Sequence, residues 1–362
     1  MKIADVKTSR YRVPVEIPLK KDPYYIEVVM VRIETDKGFV GYSISDVFSS
    51  VVQEFIDNEI GPFIKGLNPL ETEKIWNILY KKFNIRCLTG VWSSAISLID
   101  IALWDIKGKC FGEPVARLLG GASNKAQAYV TFGFSDYNRQ ELVEVAKSLV
   151  KQGHDKLKMV VAIENGTKVR EDAERVRVVR EAVGDDVDLM IDANYLFNFN
   201  QAVELCKLIE PYNIFWFEEP VYGNDYRLLK DLRTHTNIPI AAGQQLGHQW
   251  QHRELIVNHA IDISQPNVCF VGGYTEAIKV ANLARAFNLP IANGGSWPFH
   301  NMHLQAGVSN GTRVEFHLLI WTLCKTIFKD TPEPKEGWIK IPEKPGLGFE
   351  PNTDTLNEYR II

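Results

Sequence analysis

The chain has 362 residues, 45% of them hydrophobic, and a net charge of −4 from 41 Lys+Arg against 45 Asp+Glu. At ~150 residues per domain this length suggests about two domains, although one α/β barrel alone uses roughly 200–250. The charge balance excludes a broadly basic nucleic-acid binder, and the composition excludes disordered, collagen-like and coiled-coil chains.

The start of the chain alternates apolar and polar residues over 1–16 and 26–43, as strands do, with Asp36-Lys37-Gly38 as a turn. From about 47 to 112 the pattern is helical. Val51, Val52, Phe55, Ile56 and Ile60 recur at helical spacing, and an apolar face surrounds Trp104. Gly112 and Pro114 break the helix, and Gly120-Gly121 closes the segment. The most apolar stretch, Ala95 to Ile106, is interrupted by Asp100 and Asp105. No run of about 20 apolar residues exists, so no membrane span is expected. The charged N-terminus lacks the apolar core of a signal peptide. Five cysteines (Cys87, Cys110, Cys206, Cys269, Cys324) make an odd set with no C-x-x-C. A disulfide framework is not expected, and a cytoplasmic location is the default.

After Gly121 the rhythm changes. Eight short apolar runs recur, each followed by a helical segment: Ala126–Phe134, Lys156–Val161, Asp188–Asn194, Ile214–Glu219, Ile238–Gln244, Ile261–Asn267, Leu289–Asn293 and Arg313–Phe316. Eight strand-plus-helix units predict a closed parallel barrel over a doubly wound open sheet. The absence of G-x-G-x-x-G after the first strand points the same way. The tail, Trp338–Ile362, reads as short strands and turns packed back on the N-terminal part.

Polar residues end these runs on strand after strand: Lys156 and Lys158, Asp192 and Asn194, Glu218 and Glu219, Gln244 and Gln245, Asn267, Asn293, and Glu315. In a barrel the C-terminal ends of the strands carry the chemistry. Lys156 and Lys158 share a face of their strand. Facing inward, two neighbouring ammonium groups would lower each other's pKa toward that of a base; facing outward, they would be a solvated edge. Asp192 and Glu218, at the ends of adjacent strands, are hard oxygen ligands of the kind Mg²⁺ takes; a salt bridge to a neighbouring lysine is the alternative for Glu218. Met159, Met190, Phe215, Trp216 and Phe217 are expected in the core or packed against helices.

The chain resembles the enolase superfamily, mandelate racemase branch. The resemblance rests on S-L-I-D-I-A-L-W-D-I-K-G-K-C-F-G-E-P-V-A-R-L-L-G-G (97–121), K-L-K (156–158), D-A-N (192–194), F-E-E-P (217–220), Q-P-N…G-G (265–273) and V-E (314–315). It implies a modified (β/α)7β barrel over 122–330 and an α+β cap made from 1–121 with 331–362 returning to it. It further implies Lys158 as base with Lys156 as helper. Asp192, Glu218 and Gln244 become Mg²⁺ ligands, and Glu315 contacts the substrate carboxylate. Family members are commonly even-numbered homo-oligomers. Two departures stand out. Gln244 occupies the place of a third ligand carboxylate, so weaker Mg²⁺ binding is expected. Asn267 and Gly294 stand where the family's His–Asp dyad joins the sixth and seventh strands. Asn194, Asn267, Asn293, Trp297, His300, Lys20 and Tyr24 are candidate substrate contacts, and His303 is expected to be structural.

These features predict one-base chemistry on a small carboxylate, foremost dehydration of an acid sugar to a 2-keto-3-deoxy acid. Isomerisation, lactone cycloisomerisation or racemisation, and a catalytically idle binding relative, are the alternatives.

Overall fold

Period-two alternation in the first 45 residues becomes an antiparallel sheet of β1 (Ile3–Val15), β2 (Tyr24–Thr35) and β3 (Val40–Ser45). Strand β1 also pairs with Arg360–Ile361, so the end of the chain returns to the sheet. The computed structural model describes residues 1–46, 48–84 and 89–361; Cys87 lies outside them. Cys110, Cys206, Cys269 and Cys324 are free thiols.

The predicted helical stretch is broken into Ser49–Phe55, Thr72–Phe83 and Gly90–Phe111, with shorter turns between them. The last is buried on most of its faces, as expected for a helix sandwiched between two layers. On one side it lies against β3 at Gly41, where a Cβ would stand 2.0 Å from the Ala102 carbonyl. On the other it meets the barrel through its polar residues. Asp100 accepts from the Thr275 amide (3.0 Å) and hydroxyl (2.6 Å), and Trp104 Nε1 donates to Thr275 Oγ1. Only glycine fits at 273, because φ is +80° and a Cβ would lie 2.2 Å from Asp100 Oδ2. The two acids that interrupt the apolar run therefore bind protein, and Asp105 accepts from the amides of Tyr42 and Leu347. Among the described residues no helix is long and apolar enough to cross a membrane.

Each of the eight apolar runs contributes to one parallel barrel. Its strands are β4 (Lys125–Phe132), β5 (Lys156–Val160), β6 (Asp188–Asp192), β7 (Ile214–Glu218), β8 (Ile240–Ala242), β9 (Ile263–Ser264) and β10 (Arg313–His317). They pair in the order β10-β4-β5-β6-β7-β8-β9. The seventh run is a single residue pair wide. Ile291 bridges Ser264 on one side and Gly311 on the other, which closes the ring. The fold is thus the expected modified barrel with its cap. Tyr129, Met190, Trp216, Ala241, Ile263 and Ala292 pack together inside it. Phe215 departs from expectation: it is 38% exposed, with the Arg313 guanidinium stacked on its ring.

Candidate active site

Lys158, on β5, points into the barrel and is fully buried. Its ammonium lies 3.0 Å from Asp192 Oδ2, 2.5 Å from Glu218 Oε1 and 2.9 Å from Glu315 Oε1. Register explains the convergence: Asp192 on β6 pairs with Glu218 on β7, while Lys158 on β5 pairs with Thr131 on β4. Alternate residues of each strand face inward, so these side chains share the barrel interior.

Burial alone would lower the Lys158 pKa, but Asp192, Glu218 and Glu315 outweigh it and hold the group well above its usual value. This corrects the two-ammonium expectation. Lys156 sends its Nζ to Asp155 (2.8 Å) beside Gly337, away from Lys158's carboxylates. Burial raises the Glu218 pKa well above the carboxylate range despite Lys158. For Glu315 burial is outweighed by Lys158, His317 and Thr131, which keep its pKa below the usual value.

Each carboxylate is held by further donors. Glu218 Oε2 accepts from Gln265 Nε2 (2.8 Å) and Trp216 Nε1 (3.1 Å). Asp192 Oδ1 accepts from the Asn194 amide (2.9 Å). Glu315 accepts from Thr131 Oγ1 (2.5 Å) and the Ser296 amide (2.6 Å). The supporting backbone is strained: Asn194, Tyr195, Glu219, Ser296 and Trp297, all at or just beyond strand ends, have positive φ. Such strain concentrates at functional sites.

Above this cluster lies a cavity of about 360 Å³ lined by Asp46, Thr131, Asp192, Asn194, Gln244, Glu315 and His317, among others. Gln244 is pinned there by its own amide, whose Nε2 donates to Glu219 Oε2 at 2.5 Å. Glu219 also accepts from Asn224 Nδ2, and burial pushes its pKa up to about 7.

Of the candidate substrate contacts, only Asn194 lines the cavity. Asn267 and Asn293 are spent on the fold. Both donate to the carbonyls of Gly294 and Ser296, Asn267 accepts from the Cys269 amide and Asn301, and Asn293 accepts from the Glu315 amide. Together they fix the loop whose Ser296 amide binds Glu315. Trp297 is buried and donates to Asp46 Oδ1 (3.0 Å). His300 does not reach the site. It sits on helix Pro298–Gly307 against Phe328 and Phe349, neither ring nitrogen has a partner among the described residues, and burial drives its pKa down to about 3. His303 is structural, bonded to the Ala116 amide and the Leu347 carbonyl. Lys20 and Tyr24 latch the cap to the barrel instead. Lys20 donates to the Asp136 carbonyl (2.7 Å) and pairs with Glu141, and Tyr24 donates to the Asp136 carboxylate.

Sequence reasoning missed Thr131, Trp216 as a donor, and His317, and quoted Gln265 in its motif without giving it a role. His317 was the most legible, standing two residues after Glu315 and hence on the same strand face.

A Mg²⁺ site is testable on the donor set. Among the described residues no three His, Cys, Asp or Glu side chains form a metal-ligand group. The oxygens available are two carboxylates and one amide. The carboxylates of Asp192 and Glu218 nevertheless converge on one cation, the Lys158 ammonium. All the donors are hard oxygens, so the set fits Mg²⁺ with one negative charge fewer than three carboxylates would give.

A barrel with a cap and carboxylates converging at its mouth defines the enolase superfamily. The mandelate racemase / muconate lactonizing enzyme N-terminal domain matches residues 3–120, and the enolase C-terminal domain-like family matches 141–355. The chain belongs to this family. It is 32% identical to an arabinonate dehydratase of Saccharolobus solfataricus over 92% of this chain and 91% of that protein. The 3,6-anhydro-D-galactonate cycloisomerase of Zobellia galactanivorans superimposes with a TM-score of 0.89 at 31% identity, covering all of both chains. A racemase of Streptomyces coelicolor solved with bound magnesium gives 0.91 at 26%, covering 99% of this chain and 100% of that one.

Proposed function

We propose that this protein removes the α-proton of a hydroxylated carboxylate and expels a β-hydroxyl, dehydrating an acid sugar to a 2-keto-3-deoxy acid. One observation carries this reading. Lys158 is gathered with three carboxylates beneath a cavity, while the facing sixth and seventh strands place Asn267, Asn293 and Gly294 where a second base would stand. Two-base racemisation needs proton carriers on both faces of the α-carbon, whereas elimination needs one base. The dehydratase relative supports the same assignment.

Asp192, Glu218 and Gln244 would hold Mg²⁺, more weakly than three carboxylates would. When bound, the metal supplies positive charge that acidifies the α-proton and offsets the carboxylates now holding Lys158 as ammonium. Lys158 takes the α-proton at Nζ. Glu315, fixed by Thr131 and the Ser296 amide, contacts the substrate carboxylate. Asn194 contacts the substrate hydroxyls from the cavity wall. Screening aldonates and aldarates with Mg²⁺ tests the reading; no turnover on any member, with calorimetry showing metal bound, refutes it. Likeness to the cycloisomerase favours a second reading, rearrangement without loss of water. Deuterium uptake from D₂O into an isomeric product that retains its oxygen would select it.

A further inference from the structure

The dehydratase reading supplies a base but no acid for the departing hydroxyl, which is a poor leaving group unless protonated. Among the described residues, the titratable side chains lining the cavity are Asp46, Asp192, Glu315 and His317. Asp192 and Glu315 are bound to Lys158, and Asp46 to Trp297 Nε1. His317 differs from them. Its Nδ1 has no hydrogen-bond partner among the described residues. Its ring is positioned by packing on Phe134, with centroids 4.9 Å apart. Burial lowers its pKa and Lys158 adds to this, while Glu315 and Asp192, the carboxylates it faces, favour the protonated ring.

The register gives it a direction. His317 on β10 pairs with Thr131 on β4, and Thr131 pairs with Lys158 on β5. Residues in lateral register on a parallel sheet point to the same side. His317 and Lys158 therefore flank Thr131 on one wall and address the same face of a bound substrate.

We propose that His317 is the catalytic residue that protonates the leaving hydroxyl, making the elimination syn. The proposal rests on the dehydratase reading. The bond from the α-carbon to hydrogen breaks and its proton passes to the neutral Lys158 amine. The electron pair forms the α–β double bond as the β-carbon–oxygen bond breaks. The leaving oxygen takes a proton from the His317 imidazolium and departs as water. The enol so formed tautomerises to the 2-keto acid, gaining a proton at the β-carbon and losing one from the enol oxygen. No oxidant or reductant is consumed.

The test uses the full-length protein with Mg²⁺, on the aldonate the wild type turns over, in D₂O. His317→Gln is expected to slow water loss by about 10²–10⁴-fold, the usual contribution of general acid catalysis. It should keep exchanging the α-hydrogen, so recovered substrate carries deuterium. The 3-deoxy-3-fluoro analogue loses fluoride without needing a proton, and the variant should process it at close to the wild-type rate. His317→Phe, which keeps an aromatic ring against Phe134, should behave the same way and guards against a folding defect in either variant. Water loss within threefold of wild type in both variants overturns the proposal while leaving the dehydratase reading intact. So does loss of exchange and of fluoride elimination in step with loss of dehydration, which would make His317 a structural support. A wild type that exchanges no α-hydrogen on any acid sugar, with Mg²⁺ bound, removes the dehydratase reading and the proposal with it.

Discussion

Gln244→Glu would restore the third carboxylate and should cost the metal-free protein stability in a pH-dependent way. The Gln244 amide donates to Glu219 Oε2 at 2.5 Å, and the Glu219 pKa is already about 7. A glutamate there sets two buried carboxylates in contact. Two unit charges ~4 Å apart at an effective dielectric of ~20 repel by about 4 kcal/mol, so the pair keeps one proton well above neutrality. At low pH the new carboxyl donates that proton to Glu219 and replaces the amide hydrogen bond. The folded pKa of the added group is raised above its unfolded value. Its stabilising contribution is therefore present below the unfolded value and lost as pH rises toward the folded one. At about 1.4 kcal/mol per pH unit, the variant should lose about 3 kcal/mol relative to wild type between about pH 6 and about pH 8.5. Urea denaturation of both proteins in a chelator at those two pH values measures this. Millimolar Mg²⁺ should then stabilise the variant more than the wild type, because the hard-cation site has gained a charge. Equal stability of the two proteins at about pH 8.5 without metal would show that Gln244 does not face Glu219 as described.

Lys158→Met leaves Asp192, Glu218 and Glu315 without their shared cation, and should destabilise by about 3–5 kcal/mol in denaturant titrations. It should also abolish α-proton exchange followed by NMR in D₂O, and residual exchange above the solution rate would remove Lys158 as the base. Asn267→Leu removes one donor each from the Gly294 and Ser296 carbonyls, which keep Asn293, and leaves the Cys269 amide without its acceptor. A loss of about 1–3 kcal/mol is expected from that buried unpaired amide, with kcat falling because the Ser296 amide loosens from Glu315. His300→Phe should leave turnover unchanged and stability within about 1 kcal/mol of wild type, or raise it, because the ring has aromatic neighbours and no hydrogen bond to lose. A large loss of kcat there would return His300 to the active site.

Most of the fold was legible because strand periodicity and strand-end polarity are local properties. Eight runs pointed to the barrel, and the polar residues ending seven of them located Lys158, Asp192, Glu218, Gln244 and Glu315. The seventh run was harder to bound, since only Ile291 carries its pairing. The candidate contacts on loops and helices fared differently. Lys20 and Tyr24 precede or begin β2 in an unremarkable polar stretch, and no local pattern says that Asp136, more than 100 residues away, takes both of them. The strand-end asparagines looked free for a ligand, yet the tight loop at Gly294–Trp297 presents carbonyls that their side chains satisfy.

By itself the sequence determined what lies along each strand: which residues share a face, with Lys156, Lys158 and several carboxylates expected at the same barrel end. Alternation with period two is enough for that. Tertiary structure alone decided who neutralises whom. The Lys158 pKa follows from the three carboxylates that the register brings within 3.0 Å, not from Lys156 two residues away. His300 and His317 illustrate the same division. The rotation of a helix turned the first into the aromatic core, and the pairing of β10 with β4 placed the second on the wall beside Lys158. Coulomb and solvation energies depend on separation in space, and closing the barrel brings together residues from β5, β6, β7 and β10 that the chain keeps far apart.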